Sequence, residues 1–343
     1  MELIEILEAV ASGRALTAME AESAFDRFMD GSASEAQMAG LLVGLRAKGI
    51  DPQEVAGGVR ALRKAMVSVA AGAPEALVDT AGTGGGSVTT FNISTAAALV
   101  VAGAGVPVAK HGNRSFTSKS GSADVLEALG VTIDLSPERM GEVLAEAGIV
   151  FMFAPLLHPA MRHVGPVRRA LGIRTIMNLL GPLTNPAGAR RQVVGVSDPE
   201  LRPLIAAALM ELGHLRALVV HGEPGMDEVS PMGATWVTEV RDGVIEEYQV
   251  TPGDLGLDPV QAEEIAGGEP SENAAMIEAV LSGAATAART AVVMNAAAAL
   301  LVGDAAASWE GAARLAETTI DSGRAREALE RLREAASRVS TSG

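Results

Sequence analysis

The chain has 343 residues, 48% of them hydrophobic, enough to bury a large core in two domains or lobes. Its formal net charge of -15 leaves no long-range field to draw it to nucleic acid or to an anionic membrane, so a local cluster of Lys and Arg stands out. It has no cysteine, which excludes disulfides, thiolate nucleophiles and Cys-ligated zinc and fits a reducing, cytoplasmic compartment.

The first ten residues, MELIEILEAV, carry acids where a secretory signal would carry bases, so no targeting segment is expected. The first seventy residues read as helices. Thr17 with Glu20, Ser34 with Gln37 and Asp51 with Glu54 each place a capping oxygen three residues before a Glu or Gln. Gly13 and Gly49 stand where helices should stop.

From about Leu77 short apolar runs alternate with helices. ALVDT, VPVAK, VTIDL, IVFMFA, QVVGVS and ALVVHG read as buried strands; 94–104, 122–129, 137–147 and 199–212 read as helices between them. An Asp242-Gly243 turn between TWVTEV and VIEEYQV predicts an antiparallel hairpin added to a largely parallel sheet. The apolar run TAVVMNAAAALLVG, interrupted by Asn295, is too short and too polar for a membrane span and reads as a buried helix. The fold class expected is α/β. A small all-helical domain spans 1–72, joined at a hinge by part of about 160–190, and a larger α/β domain spans 73–343, its mostly parallel central sheet covered by helices.

Three strand-end loops carry chemistry-bearing residues. DTAGTGGGSVTTFNIST follows a strand and precedes a helix, where glycines allow close backbone approach and a helix N-terminus offers free N–H groups to an anion. The stretch matches neither common phosphate motif, and taken alone it is equally a flexible turn with a Ser/Thr helix cap. The second loop, KHGNRSFTSKSGS, gathers Lys110, His111, Arg114 and Lys119 among small polar residues; beside the first it would complete an anion pocket. The third, HGEPGMDEVSP, delivers Asp227 and Glu228 side by side. Two carboxylates next to a diphosphate would repel it unless a bridging cation such as Mg2+ lay between, with Ser94 as a third oxygen. Arg168, Arg169 and Arg174 can fork a carboxylate, although surface ion pairing is the default for at least two of them.

Taken in order, GTGG, NIST, KHGNRS, SGSADVLEALG, GIRTIMNLLGPLTNPA and HGEPGMDE closely resemble the anthranilate phosphoribosyltransferase family, from roughly Asp79 to Val240. The resemblance implies transfer of a 5-phosphoribosyl group from phosphoribosyl pyrophosphate to the amine of anthranilate, in a cleft at a hinge between two domains, within a homodimer. It also implies the site. Gly82, Gly85, Gly86, Thr90, Asn92, Ile93, Ser94 and Thr95 would line the pyrophosphate and ribose site, completed by Lys110, His111, Gly112, Asn113, Arg114, Ser115, Phe116, Thr117 and Ser118, with Ser122. Ser94, Asp227 and Glu228 would hold magnesium, and Gly82, Asn113 and Arg168 would meet anthranilate. Lys110 and Arg168 would carry catalysis, with His111 and His158 close to the amine's path.

Two departures stand out. Gly86 replaces the acid of the usual GTGGD, which predicts altered metal handling, and Met177 replaces a more common Phe. The rival readings are a pyrimidine nucleoside phosphorylase of the same fold and a non-catalytic nucleic-acid-binding relative. KHGNRS and NLLGPLTNP argue against the first; the acidic charge and 3% aromatic content argue against the second.

Overall fold

The structure, a computed structural model, describes residues 2–115 and 119–338. Capping organises the first four helices, α1 (Leu3–Ala11), α2 (Ala18–Met29), α3 (Glu35–Lys48) and α4 (Pro52–Ala65). Reciprocal capping boxes form at Thr17 with Glu20, Ser34 with Gln37 and Asp51 with Glu54. Glu54 does more than cap. Fully buried, it pairs with Lys48 at 2.9 Å and accepts from the Leu16 and Asp51 N–H groups at 2.9 and 2.8 Å. Those bonds offset the cost of an enclosed charge and tie the loop before α2 to the start of α4.

The α/β part follows as β1 (Val78–Gly82), α5 (Ile93–Gly103), β2 (Val108–Gly112), α6 (Ser122–Ala128), α7 (Pro137–Ala147), β3 (Ile149–Phe153), α8 (Ala154–Leu157), α9 (Met161–Leu171), α10 (Met177–Leu180), β4 (Arg191–Gly195), α11 (Leu201–Glu211), β5 (Arg216–Gly222), β6 (Thr235–Arg241) and β7 (Val244–Val250). Four helices close the chain: α12 (Pro270–Leu281), α13 (Ala287–Val302), α14 (Trp309–Asp321) and α15 (Arg324–Ser337). One seven-stranded sheet runs β3-β2-β1-β4-β5-β6-β7, parallel through β5 and antiparallel for the last two strands. The expected fold class is borne out, and so is the hairpin, whose turn residues Asp242 and Gly243 both take positive φ.

The run VTIDL is the exception: it forms no strand. Val131 and Ile133 are buried and Thr132 and Asp134 exposed, so the alternation is real, but the segment sits against the core with no ladder partner. Period-two burial marks a half-buried extended chain; a strand also needs a neighbour to accept its hydrogen bonds.

Strand order decides where a ligand can sit. From β1 the chain moves one way to β2 and β3, then returns to β1's other side for β4 and β5. The carboxyl ends of β1 and β4 therefore flank the crevice where connections diverge, the usual ligand position in open α/β sheets. Two hydrophobic clusters flank the sheet. One gathers α5, α13, α14 and α15. The other joins Phe25, Phe28, Leu41 and Val59 of the helical lobe to Val164, Val167, Ile176 and Leu180, and continues onto Val194, Val219 and Val240 of the sheet. Residues from the 160–190 segment thus fill the helical lobe's core. The span from α9 to α10 passes directly from that core to the sheet's carboxyl edge. Among the described residues no helix is long and apolar enough to cross a membrane.

Candidate active site

The glycine loop leaves β1 and turns sharply at Gly84 and Gly85, both at positive φ (70° and 82°), a conformation side chains rarely adopt. A Cβ on Gly82 would stand 2.8 Å from the Asp227 carboxylate, and one on Gly85 would collide with the Arg174 guanidinium. Small residues here let two other segments close onto the loop. Gly84 N–H donates to Asp227 Oδ2 at 2.9 Å, while Arg174 Nη2 donates to the Gly84 carbonyl at 2.8 Å and its Nη1 to Ser197 Oγ at 3.1 Å. Arg46 of α3 in turn donates to the Arg174 carbonyl at 2.5 Å, so a contact chain runs from the helical lobe to the glycine loop.

The loop ends at the N-terminus of α5, and Glu228 reaches it from the loop after β5. Its Oε1 accepts the Ser94 N–H at 3.2 Å and its Oε2 the Thr90 hydroxyl at 3.3 Å. A carboxylate here is favoured by the helix dipole and by an otherwise unpaired first-turn N–H. Lys110, in the middle of β2, is buried, and its Nζ donates to the Thr80 carbonyl at 2.7 Å, Thr80 Oγ1 at 3.0 Å and Ser94 Oγ at 3.3 Å. Ser94 therefore stands between a cation and an anion. Burial pushes the Lys110 ammonium down to about 8 despite attraction from Asp79 and Glu228; burial and the adjacent Asp227 push Glu228 up to about 8. Burial also raises Asp227.

The second loop lies beside the first. Asn92 Nδ2 donates to the Ser120 carbonyl at 3.1 Å, Ser120 Oγ donates to Asn92 Oδ1 at 3.0 Å, and Asn273 of α12 donates to the same Oδ1 at 2.9 Å. The Asn113 carbonyl accepts from Ser122 Oγ at 3.2 Å, and Gly112 packs so closely on Ser122 and Phe151 that no Cβ would fit. Arg114 does not stand as an open charge. It pairs with Asp124 and Glu127 at 2.8 and 2.5 Å and lies over the Phe153 ring. Lys119 is exposed, 3.9 Å from Glu269. Ile93 and Thr95 turn their side chains into the core, and the Thr95 hydroxyl, buried without a partner, opens on a cavity of about 10 Å³ beside Lys110. Ser115 is partly buried, its N–H donating to Asp124 Oδ2 at 3.2 Å. Phe116, Thr117 and Ser118 lie outside the described residues.

Arg168 comes from α9, and among the described residues no carboxylate pairs with it; burial lowers its pKa. Among those residues it makes no hydrogen bond to Gly82 or Asn113. His111 and His158 form a pair, Nε2 to Nε2 at 3.1 Å with ring centroids 5.0 Å apart. A hydrogen bond with the Gly181 backbone favours the charged form of His111, and burial outweighs it. Burial, with the neighbouring His158 and Lys110, lowers His111 to about 3, and burial lowers His158 to about 4.

Sequence reasoning passed over Asp79. Fully buried in β1, it accepts from Asn185 Nδ2 at 2.8 Å, Gln192 Nε2 at 3.1 Å and the His111 N–H at 3.2 Å, bracing the strand that carries Lys110. An acid inside an apolar strand run was the available signal, because an enclosed carboxylate needs several donors.

The donor set suits a hard cation. Asp227, Glu228 and Ser94 offer oxygens, and burial and mutual repulsion oppose ionisation of the two adjoining acids, an opposition that a cation beside them would remove. Among the described residues no group of three or more His, Asp or Glu could hold a metal, so this pair needs ligand oxygens to complete a site.

Comparison with known proteins agrees with this geometry. The family model described as "Glycosyl transferase family, helical bundle domain" matches residues 4–66, and the "a/b domain" model of the same family matches 74–326. Anthranilate phosphoribosyltransferases of Symbiobacterium thermophilum and Rubrobacter xylanophilus are 51% and 52% identical, each over 96% of both chains. The chain belongs to the anthranilate phosphoribosyltransferase family. Among solved structures, the family member from Thermus thermophilus superposes with a TM-score of 0.91 at 44% identity, covering 96% of this chain and 98% of that one. The Saccharomyces cerevisiae enzyme in complex with PRPP and Mg gives 0.87 at 28% identity, covering 98% of each chain.

Two outcomes follow. A Cβ on Gly86 would lie 3.1 Å from Asp227 Oδ1, so Gly86→Asp adds a third carboxylate to the pair. That variant should be inhibited more strongly by excess Mg2+ than the parent, and identical magnesium profiles would refute the effect. For the histidine pair, folded pKa values below the unfolded value mean stability that is present above about pH 6.5 and lost as pH falls toward 4 and 3. His158→Gln should therefore lose about 2 kcal/mol less than the parent between pH 7 and pH 5. Urea unfolding at both pH values measures this, and equal losses would remove His158 from the acid response.

Proposed function

We infer that the chain transfers the 5-phosphoribosyl group of phosphoribosyl pyrophosphate to the amine of anthranilate, releasing pyrophosphate, a step of tryptophan biosynthesis. The observation that carries the reading is the meeting of Lys110, the α5 N-terminus and the Asp227–Glu228 pair at one switch point, in a chain identical at half its positions to anthranilate phosphoribosyltransferases along nearly its whole length.

In the reaction the bond from the anomeric carbon to pyrophosphate oxygen breaks with its electron pair leaving on the diphosphate. The nitrogen lone pair forms the new bond to that carbon, and the nitrogen then sheds a proton. We assign the diphosphate to the main-chain amides of the glycine loop with Thr90, Asn92 and Ser94, completed by the second loop from Lys110 to Ser118 and by Ser122. Lys110 is already desolvated and fixed by three acceptors, so its charge costs no reorganisation as negative charge grows on the leaving group. Asp227, Glu228 and Ser94 would hold Mg2+, which when bound neutralises diphosphate charge. Arg168, a cation without a carboxylate partner among the described residues, is assigned to the anthranilate carboxylate, with Gly82 and Asn113 along the ring. The aromatic amine is neutral at pH 7, so positioning and leaving-group electrostatics suffice and no dedicated general base is assigned.

Mixing the protein with phosphoribosyl pyrophosphate, Mg2+ and anthranilate should quench anthranilate fluorescence; no loss of signal would end the proposal. The Asp227→Ala/Glu228→Ala double variant should lower kcat by about a hundredfold or more and change the magnesium dependence. Near-normal kinetics in that variant would overturn the metal assignment. The reading includes a cytoplasmic homodimer. Ile4 and Met19 of the helical lobe are 71% and 80% exposed, apolar surface that a second copy would cover. Sedimentation equilibrium should give twice the chain mass, and a monomer at micromolar concentration would refute the dimer.

A further inference from the structure

Helix α13 is apolar and buried almost throughout, with one polar side chain in its middle, Asn295. An uncompensated carboxamide there would be costly, so its partners show what it is for. Asn295 Oδ1 accepts the Val229 N–H at 2.9 Å, and its Nδ2 donates to the Val229 carbonyl at 2.9 Å. The second Nδ2 hydrogen returns to the Ala291 carbonyl of its own helix at 3.0 Å. The side chain thus pairs with Val229 as a residue of an antiparallel ladder pairs with its partner, through both main-chain groups. Turning the amide over would set N–H against N–H and oxygen against oxygen, so the orientation is determined.

Val229 immediately follows Asp227 and Glu228 and is itself fully buried. Before the pair, the loop is pinned where Gly222 and Met226 exchange main-chain bonds at 3.0 and 2.6 Å; after it, Ser230 N–H donates to Thr235 Oγ1 at 2.8 Å. Between these points the two acids stand next to one another against α5 and the glycine loop, and their mutual repulsion favours any relaxation that parts them. The bond pair from α13 opposes that relaxation from a helix packed against β1, β4 and β5.

We propose that Asn295 is a positioning residue for the Asp227–Glu228 pair, its two bonds to Val229 setting where both carboxylates stand at the diphosphate site. The proposal rests on the reading of that pair as a magnesium site, and it assigns to α13, a helix with no side chain in the site, control over the site's affinity for the cation. Outer partners that orient ligating groups change metal affinity without touching the metal.

The test uses the full chain with Mn2+ and phosphoribosyl pyrophosphate, whose oxygens complete the site, and follows protein-bound Mn2+ by electron paramagnetic resonance against the same mixture without protein. Asn295→Leu keeps the volume and loses both bonds; Asn295→Ala is a second variant that keeps the helix should leucine not fit. In either folded variant the dissociation constant for Mn2+ should rise about tenfold, with a parallel rise in the Mg2+ needed for half-maximal turnover. The KM for anthranilate should stay within about twofold of the parent, a split that general loosening of the core would not give. Unchanged Mn2+ affinity overturns the proposal. So does unfolding of both variants, which would make the clamp a support of the whole core. Glu228→Gln separates the two layers. If it binds Mn2+ as the parent does, or if the parent takes up none, the metal reading itself falls. If it loses Mn2+ while the Asn295 variants keep it, the metal reading stands and the positioning role falls.

Discussion

The Asp227 carbonyl lies in the space that a side chain on Gly195 would fill. Because β4 ends in a residue with no side chain, the loop after β5 can cross the carboxyl end of β4 and reach β1. That crossing brings Asp227 Oδ2 to the Gly84 N–H and carries Glu228 to the N-terminus of α5. A side chain on Gly195 would lift the loop and part the acids from the glycine turn. The anion-binding edge of one strand and the acidic edge of another meet only because these backbones approach so closely.

That meeting creates an electrostatic problem which the site is arranged to use. Glu228 occupies helix N–H groups suited to a phosphate, with a second carboxylate at its side. The protein carries an excess of acid overall, and its second loop spends Arg114 on Asp124 and Glu127. Lys110 is held where three acceptors converge and where Ser94 stands between it and Glu228. A buried ammonium and two carboxyl groups thus share the edge beside the glycine loop, an oxygen-rich set that suits a hard divalent cation.

Behind this first layer stand buried polar residues, each fully engaged. Asp79 gathers Asn185, Gln192 and the His111 N–H beneath β1 and β2. Asn273 steadies Asn92 from α12, and Asn295 grips Val229 from α13. On the opposite side, Arg174 connects the glycine loop to Ser197 and, through Arg46, to the helical lobe. A movement of the lobe would therefore be felt at the loop through a short chain of hydrogen bonds.

Much was legible in the order of residues alone. Capping boxes, strand-length apolar runs, the Asp242-Gly243 turn and the three Gly- or acid-bearing loops each follow from local chemistry, since a cap or tight turn is decided within a few residues. VTIDL misled for the same reason: alternation is local, whereas a strand needs a partner from elsewhere. The sequence could name Asp227, Glu228, Lys110 and Ser94 as candidates, and could mark Asn295 only as an interruption of an apolar run. Which groups pair was decided by the tertiary structure, where residues more than a hundred positions apart, such as Ser94 and Glu228 or Gly84 and Asp227, come within hydrogen-bond reach. Burial, and the charge–charge contacts that shift Lys110 and Glu228, exist only once the sheet has assembled, because desolvation belongs to a place in the fold and not to a residue type.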